Sequence, residues 1–301
     1  MRSIWMKIAV IIGIVALLLI PLNNFVKESW AYNNNRGILA FQEDPTPLDI
    51  INLGTSHAMF GYAFKPLGLS HLDLALPSQT IEYDLKMLKQ FDEHLRPGGV
   101  VIVSLSQITF SNAEIGRKEN YFQVLDREDI EPVSTFDYYT YTSIPALNSG
   151  SVYTALSREI RDFRWESHKP WVNNGKNYSE RKYEMVEAQY KQAVENRDIE
   201  HNMKRLQEIV EYSEAQGFRV VLAMEPVHAS YHAYFDEAVM DRLVYQHLQS
   251  LELDVPFLNY MRDERFVNQR DYFHNPDHLN GKGRALLSSL VYGDLKRLGY
   301  L

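Results

Sequence analysis

A serine set just beyond an apolar run and a histidine among carboxylates are residue types that together can move an acyl group. The serine is Ser56, in Leu53-Gly54-Thr55-Ser56-His57, directly after the largely apolar Leu48 to Leu53. That run reads as a buried strand stopping at a glycine, so the hydroxyl is presented at the first turn beyond the strand's carboxyl end. Backbone N–H groups at a helix start would face the same space and suit a developing oxyanion. Serine is also a common helix cap, and from this stretch alone capping is the competing reading of Ser56. The histidine is His278, in Asp271-Tyr272-Phe273-His274-Asn275-Pro276-Asp277-His278-Leu279-Asn280-Gly281, 222 positions further on. A serine nucleophile needs a base to take its proton, and that base needs an orienting partner on its second ring nitrogen. His278 can be the base, provided both loops open at one edge of a sheet.

The elements that would place them there can be read from periodicity. Strands are expected at Leu48 to Leu53, His71 to Leu76, Val100 to Leu105, Phe218 to Met224 and Val255 to Leu258. Helices are expected from Pro77-Ser78 through Phe91, over Asn202 to Gln216, over Phe235 to Leu251 and over Lys282 to Leu298. Alternation of this kind predicts an α/β domain, a three-layer sandwich with a mainly parallel sheet, over 48–301. Between Ser111 and His201 the pattern weakens while charges and tyrosines accumulate, so this part reads as a helical insertion, with one helix from about Glu180 to Glu195. Its tyrosine-rich part can form a lid or partner surface, or simply a solvated elaboration.

The first 27 residues have a different character. Ile8 to Leu22 is apolar almost without interruption and follows Arg2 and Lys7, as in an export signal whose basic end stays inside. Ile4 to Val26 approaches the ~20 residues needed to cross a bilayer. A single-pass signal anchor is expected, with the rest of the chain extracytoplasmic and 28–47 as a polar linker. The 301 residues, 45% hydrophobic, suffice for one large core, and a net charge of -8 argues against non-specific nucleic-acid binding. The chain has no cysteine, which excludes disulfides, thiolate metal sites and a cysteine nucleophile. No HExxH pattern, other metal-ligand spacing or phosphate-cradling glycine loop is present, so neither metal nor cofactor is expected.

With these motifs in order, the chain resembles the SGNH-hydrolase-like superfamily. The resemblance is closest to its membrane-anchored members in bacterial envelope acylation, of the D-alanyl-lipoteichoic acid biosynthesis and alginate O-acetylation types. It rests on Leu53-Gly54-Thr55-Ser56-His57, Leu74-Ala75-Leu76-Pro77-Ser78-Gln79, Glu225-Pro226-Val227-His228 and Asp277-His278-Leu279-Asn280, together with the N-terminal anchor. It implies a flavodoxin-like sheet, Ser56 as nucleophile and His278 as base. The family usually has an aspartate three residues before that histidine, where this chain has Asn275. Asn275 can orient the imidazole without a full charge, and Asp277 or Asp271 could supply one if the loop bends suitably. The usual glycine-x-asparagine-aspartate block is missing, as in the envelope-acylation members. Gly54, Ser78 and Gln79 are therefore the expected neighbouring donors. His57 is expected to point away from Ser56, in a structural or substrate-contact role, and His228 and His232 can line the crevice. The implied activity is O-acyl transfer to or from a cell-envelope or secreted polysaccharide at the cytoplasmic membrane, with a multi-pass membrane acyltransferase as partner. Two rival readings are a catalytically inactive assembly or polymer-binding component and a free-standing carbohydrate esterase or lipase.

Overall fold

The computed structural model describes residues 2–29, 32–33, 35–114, 118–130, 132–156 and 177–301. Along the chain the elements begin with α1 (Arg2–Lys27) and α2 (Arg36–Glu43), followed by β1 (Leu48–Leu53), α3 (Ser56–Gly61), β2 (His71–Asp73), α4 (Ile81–Phe91) and β3 (Leu95–Ser104). Next come α5 (Thr135–Ser143), α6 (Ser149–Leu156), α7 (Tyr178–Asn196), α8 (Asp198–Ala215), β4 (Arg219–Met224), α9 (Ala229–His232), α10 (Glu237–Met240) and α11 (Gln246–Ser250). The chain closes with β5 (Phe257–Asn259), α12 (Glu264–Val267), the short pair β6 (Phe273–Asn275) and β7 (His278–Leu279), and α13 (Gly281–Arg297). The residues cluster into two compact units, Met1–Leu39 with Lys118–Arg164, and Ala40–Arg117 with Trp165–Leu301. The expected insertion is thus divided. Its 118–164 part groups with the N-terminal helix, whereas α7 belongs to the α/β unit.

The α/β unit is built on one parallel sheet of order β2-β1-β3-β4-β5. Val100 to Val103 and Val220 to Leu222 are buried, as expected for strands covered on both faces. Order reverses between β1 and β3, because the chain first steps outward to β2 and then returns across β1. Right-handed crossovers therefore put α4, α8 and the α10–α11 helix on one face and α3 on the other. In agreement, α4 packs on α8, and α13 packs on α3. The carboxyl ends of β1 and β3 flank the switch point where such sheets open a crevice, and Ser56 follows β1 there.

Several boundaries differ from expectation for local reasons. β2 ends at Asp73 rather than Leu76, because the Asp73 carboxylate turns the chain by accepting from Ala75 N at 3.1 Å and from Asn52 Nδ2 at 2.7 Å. The following helix waits until Ile81, since Ser78 adopts a left-handed φ of 57°. β3 begins five residues early at Leu95, with a register shift across Pro97-Gly98-Gly99 before regular pairing from Val100. α8 starts at Asp198, ahead of the expected Asn202, because Arg197 in a left-handed conformation separates it from α7. The expected helix 235–251 runs from Glu237 to Ser250 with a π-helical turn at Asp241–Tyr245. Within the 28–47 linker, Arg36–Glu43 is helical.

In the smaller unit, α1 offers 24 residues, Ile4–Lys27, long and apolar enough to cross a membrane. At ~1.5 Å per residue this is about 36 Å of helix. A 3-10 turn at Pro145–Leu147 packs against α1, α5 and α6.

Candidate active site

Gly54 makes the β1–α3 junction possible. Its φ is +127°, and a Cβ built there would stand 2.8 Å from Ser104 Cβ and 3.0 Å from Ser104 O on the neighbouring strand. Glycine alone fits this approach. Thr55 caps α3 by accepting from His57 N, so Ser56 is the first helical residue and its N–H has no intrahelical acceptor. The Gly54 N–H itself donates to Asp84 Oδ1 at 2.8 Å, and Gln79 Nε2 donates to the same oxygen at 2.6 Å and to Leu74 O at 3.1 Å. Those amides, expected as oxyanion donors, are thus spent on holding the junction. Burial pushes the Asp84 carboxyl up to about 7 against these two bonds. Ser78 is exposed, and its carbonyl, with that of Gln79, accepts from Asn112 Nδ2.

The histidine is placed by a two-residue turn between β6 and β7, which pair Asn275 with His278. Asn275 Oδ1 accepts from Asp277 N at 3.1 Å and from His278 N at 2.8 Å, an Asx-turn that fixes the carboxamide orientation. Asn280 locks the downstream side. Its Nδ2 donates to Asp271 O and Phe273 O, while its Oδ1 accepts from Lys282 N and Gly283 N to cap α13. From beyond β4, His228 N donates to Pro276 O at 2.9 Å.

These two junctions bring Ser56 Oγ to 2.9 Å from His278 Nε2. On the other ring nitrogen, Nδ1 lies 3.0 Å from Asn275 Oδ1 and 2.9 Å from Asp277 Oδ1. Both neighbours are acceptors, so Nδ1 carries the proton and donates it, leaving the Nε2 lone pair to accept from the Ser56 hydroxyl. The imidazole packs against two rings of α3, with the His57 ring centroid at 5.0 Å and the Phe60 ring centroid at 4.8 Å in an edge-on arrangement. His57 therefore turns toward the site rather than away from it: His278 inserts beside the first turn of α3, where His57 and Phe60 can both reach it. Burial and the adjoining His278 pull the His57 imidazole down to about 3, with Asp277 opposing, so it is neutral.

Asp277 is almost wholly buried. Burial pushes its carboxyl up, but the neighbouring His278, Lys182 and His57 outweigh that and hold it well below the usual carboxylate range. Its Oδ1 accepts from the Tyr178 hydroxyl at 2.8 Å, while burial and that carboxylate push the Tyr178 phenol upward and keep it a donor. Among the described residues Asp277 Oδ2 has no hydrogen bond, and His57 Nε2 is 3.8 Å from it. Tyr178 had no signal in the sequence, because 99 positions separate it from its partner. Asp271 is exposed, and its carbonyl accepts from Asn280 Nδ2 in this loop. Among the described residues, Gly54, Ser78, Gln79 and His228 form no hydrogen bond with Ser56 or His278. His228 caps α9, and His232 Nε2 contacts Val227 O at 3.1 Å.

His57, Asp277 and His278 place one ligand atom each within 4.8 Å of one another. Both His278 nitrogens are already engaged, so a metal ion bound through His278 would displace either Ser56 or the Asn275 side. What the arrangement offers as it stands is a hydroxyl on an imidazole base whose far side faces an amide oxygen and a buried carboxylate.

No family model matches the chain, and no curated protein matches it either. Among solved structures, one named as an acylhydrolase from Bacteroides fragilis is 13% identical, with a TM-score of 0.41 over 88% of this chain and 97% of that one. A GDSL-like lipase from Bacteroides thetaiotaomicron is 11% identical, with a TM-score of 0.40 over 88% and 98% of the two chains. A family two carbohydrate esterase from Clostridium thermocellum is 10% identical, with a TM-score of 0.34 over 85% of this chain and 67% of that one. None of these scores places the chain in a family.

Proposed function

We propose that this protein is a membrane-anchored, extracytoplasmic serine enzyme that transfers O-acyl groups to or from a cell-envelope or secreted polysaccharide. The observation that carries this reading is the 2.9 Å contact of Ser56 Oγ with His278 Nε2, with Asn275 and Asp277 on the far nitrogen. Ser56 Oγ attacks the carbonyl carbon of an acyl ester while its proton passes to His278 Nε2. The bond to the leaving alcohol breaks, that oxygen takes the proton from Nε2, and the acyl group remains on Ser56. An acceptor hydroxyl then gives its proton to Nε2 and attacks the acyl carbon, and Ser56 leaves and recovers the proton. With water as acceptor the same steps are hydrolysis. While His278 is an imidazolium, Asp277 supplies the opposing charge, and the Ser56 N–H at the start of α3 can donate to the carbonyl oxygen as it gains charge.

The apolar α1 supports an anchored location. The acceptor and the expected multi-pass acyltransferase partner come from the sequence resemblance alone. The test is Ser56→Ala in cells at normal protein level, with polymer O-acylation followed chemically: acylation is lost on this account. Unchanged acylation would leave the inactive, assembly-component reading in its place. Hydrolysis of small aryl esters by the purified full chain without a partner would instead favour the free-standing esterase.

A further inference from the structure

The smaller unit carries an apolar surface that the proposed chemistry does not use. Residues 135–156 contain a single charged side chain, Asp137, and five aromatic ones. Phe136 is 71% exposed, Tyr139 56%, Leu147 50%, Tyr153 78% and Leu156 57%, with Ile144 also exposed. Scattered apolar residues on a surface need no explanation, but six within one short, nearly uncharged segment do. Phe136, Tyr139 and Ile144 also line a groove of about 580 Å³.

Where this segment is tied identifies what covers it. Ala146 N donates to Asn23 Oδ1 at 3.2 Å, in the last two turns of α1, and the 3-10 turn at Pro145–Leu147 packs on the same helix. Just past α1, the Tyr32 hydroxyl donates to Tyr141 O at 3.3 Å and the two rings lie 5.2 Å apart. Asn23 is four residues before the end of the apolar helix, about 6 Å along its axis. If α1 crosses a bilayer, this height falls in the headgroup zone, where tyrosine and other amphipathic rings concentrate. A segment with aromatic and aliphatic side chains, many hydroxyls and almost no charge matches that layer and no aqueous one.

We propose that the exposed face of residues 135–156 is a membrane-interface seat. It inserts Phe136, Tyr139, Leu147, Tyr153 and their neighbours among the lipid headgroups beside the point where α1 leaves the bilayer. The partner is the lipid surface itself. A single helix alone would let the protein swivel; a second, lateral attachment fixes the smaller unit against the membrane plane. The inference rests on α1 being membrane-embedded and is independent of the Ser56 chemistry.

The chain has no cysteine, so single cysteines can carry spin labels in the full-length protein reconstituted in phosphatidylcholine/phosphatidylglycerol nanodiscs. Labels at Phe136→Cys and Tyr153→Cys are expected to be more accessible to oxygen than to a water-soluble nickel chelate. The order should reverse at Glu128→Cys, in a charged stretch of the same unit, while Leu17→Cys reads the anchor. Aqueous labels at 136 and 153 with a lipid-exposed label at 17 would overturn the seat and leave the anchor standing. An aqueous label at 17 would overturn both. Labels at 136 and 153 that are aqueous in nanodiscs but shielded in native membranes would show that a protein covers this face, and would likewise overturn the lipid proposal.

Discussion

On the proposed mechanism, Asn275 and Asp277 divide between them what a single carboxylate does in a Ser-His-Asp arrangement. The carboxamide accepts from two backbone amides as well as the ring, so it sets geometry; the buried carboxylate supplies charge. Asp277→Asn should therefore lower kcat by about 10² to 10⁴ with little change in KM, since charge matters only once His278 is protonated. Steady-state kinetics of acyl transfer to the polymer, followed with the full chain in native membranes, would show it, and a variant with unaltered kcat would contradict this division. Asn275→Ala should act mainly on folding, costing about 1–3 kcal/mol in denaturant unfolding, because two backbone N–H groups lose their acceptor. Asn275→Asp should restore that acceptor. Tyr178→Phe removes a hydrogen bond to a buried charge, worth about 1.5–3 kcal/mol. These assignments exceed what the residues announce in order, where Asn275 held the expected position and Asp277 or Asp271 could supply the charge. That Asn275 and Asp277 both face Nδ1, and Asp271 does not, is decided by a turn that the carboxamide of Asn275 itself creates.

At the scale of elements, the junction β1–α3 and the hairpin β6–β7 do the positioning. Gly54→Ala should destabilise the protein by more than about 1–3 kcal/mol, because it adds a strained φ to a clash with a neighbouring strand's backbone. A fall in Tm together with loss of activity is the expected result, and an unchanged Tm would refute the close-approach argument. β1 was legible to the residue because its apolar run ends at this glycine. The end of β2 was not, since Leu74 to Leu76 are as apolar as a strand requires and only the Asp73 hydrogen bonds turn them out of the sheet. The donor roles expected of Gly54 and Gln79 failed to appear for a related reason: Asp84, buried on α4, claims both amides. Nothing in the spacing of 30 residues from Gly54 foretells that contact.

For the whole molecule, buried titratable groups set opposing responses to pH. His57 and His71, both held at about 3 chiefly by burial, stay neutral in the fold while the unfolded chain protonates below about 6.5. Stability from each is therefore lost as pH falls from about 6.5 toward 3, by at most about 1.4 kcal/mol per pH unit. Asp84, raised to about 7, has the opposite sign: the unfolded group ionises first, so stability is lost as pH rises from about 4 to 7. Asp84→Asn should accordingly gain stability relative to the parent chain across that interval, whatever constant offset the substitution adds. Unfolding curves at pH 4, 5.5 and 7 test this, and a difference independent of pH would contradict it. The mainly parallel sheet with Ser56 at its carboxyl edge was legible from the alternation of strands and helices, whereas the strand order and the grouping of residues 118–164 with the N-terminal helix were not, the latter because it depends on contacts such as Asn35 with Asn120 across 85 positions. The central claim remains that Ser56 is a nucleophile activated by His278. Its most direct test is treatment of the purified full chain with a fluorophosphonate, followed by peptide mass spectrometry. The account predicts one adduct, on Ser56, that disappears in His278→Gln; folded protein that reacts elsewhere, or reacts at Ser56 equally well without His278, would contradict it.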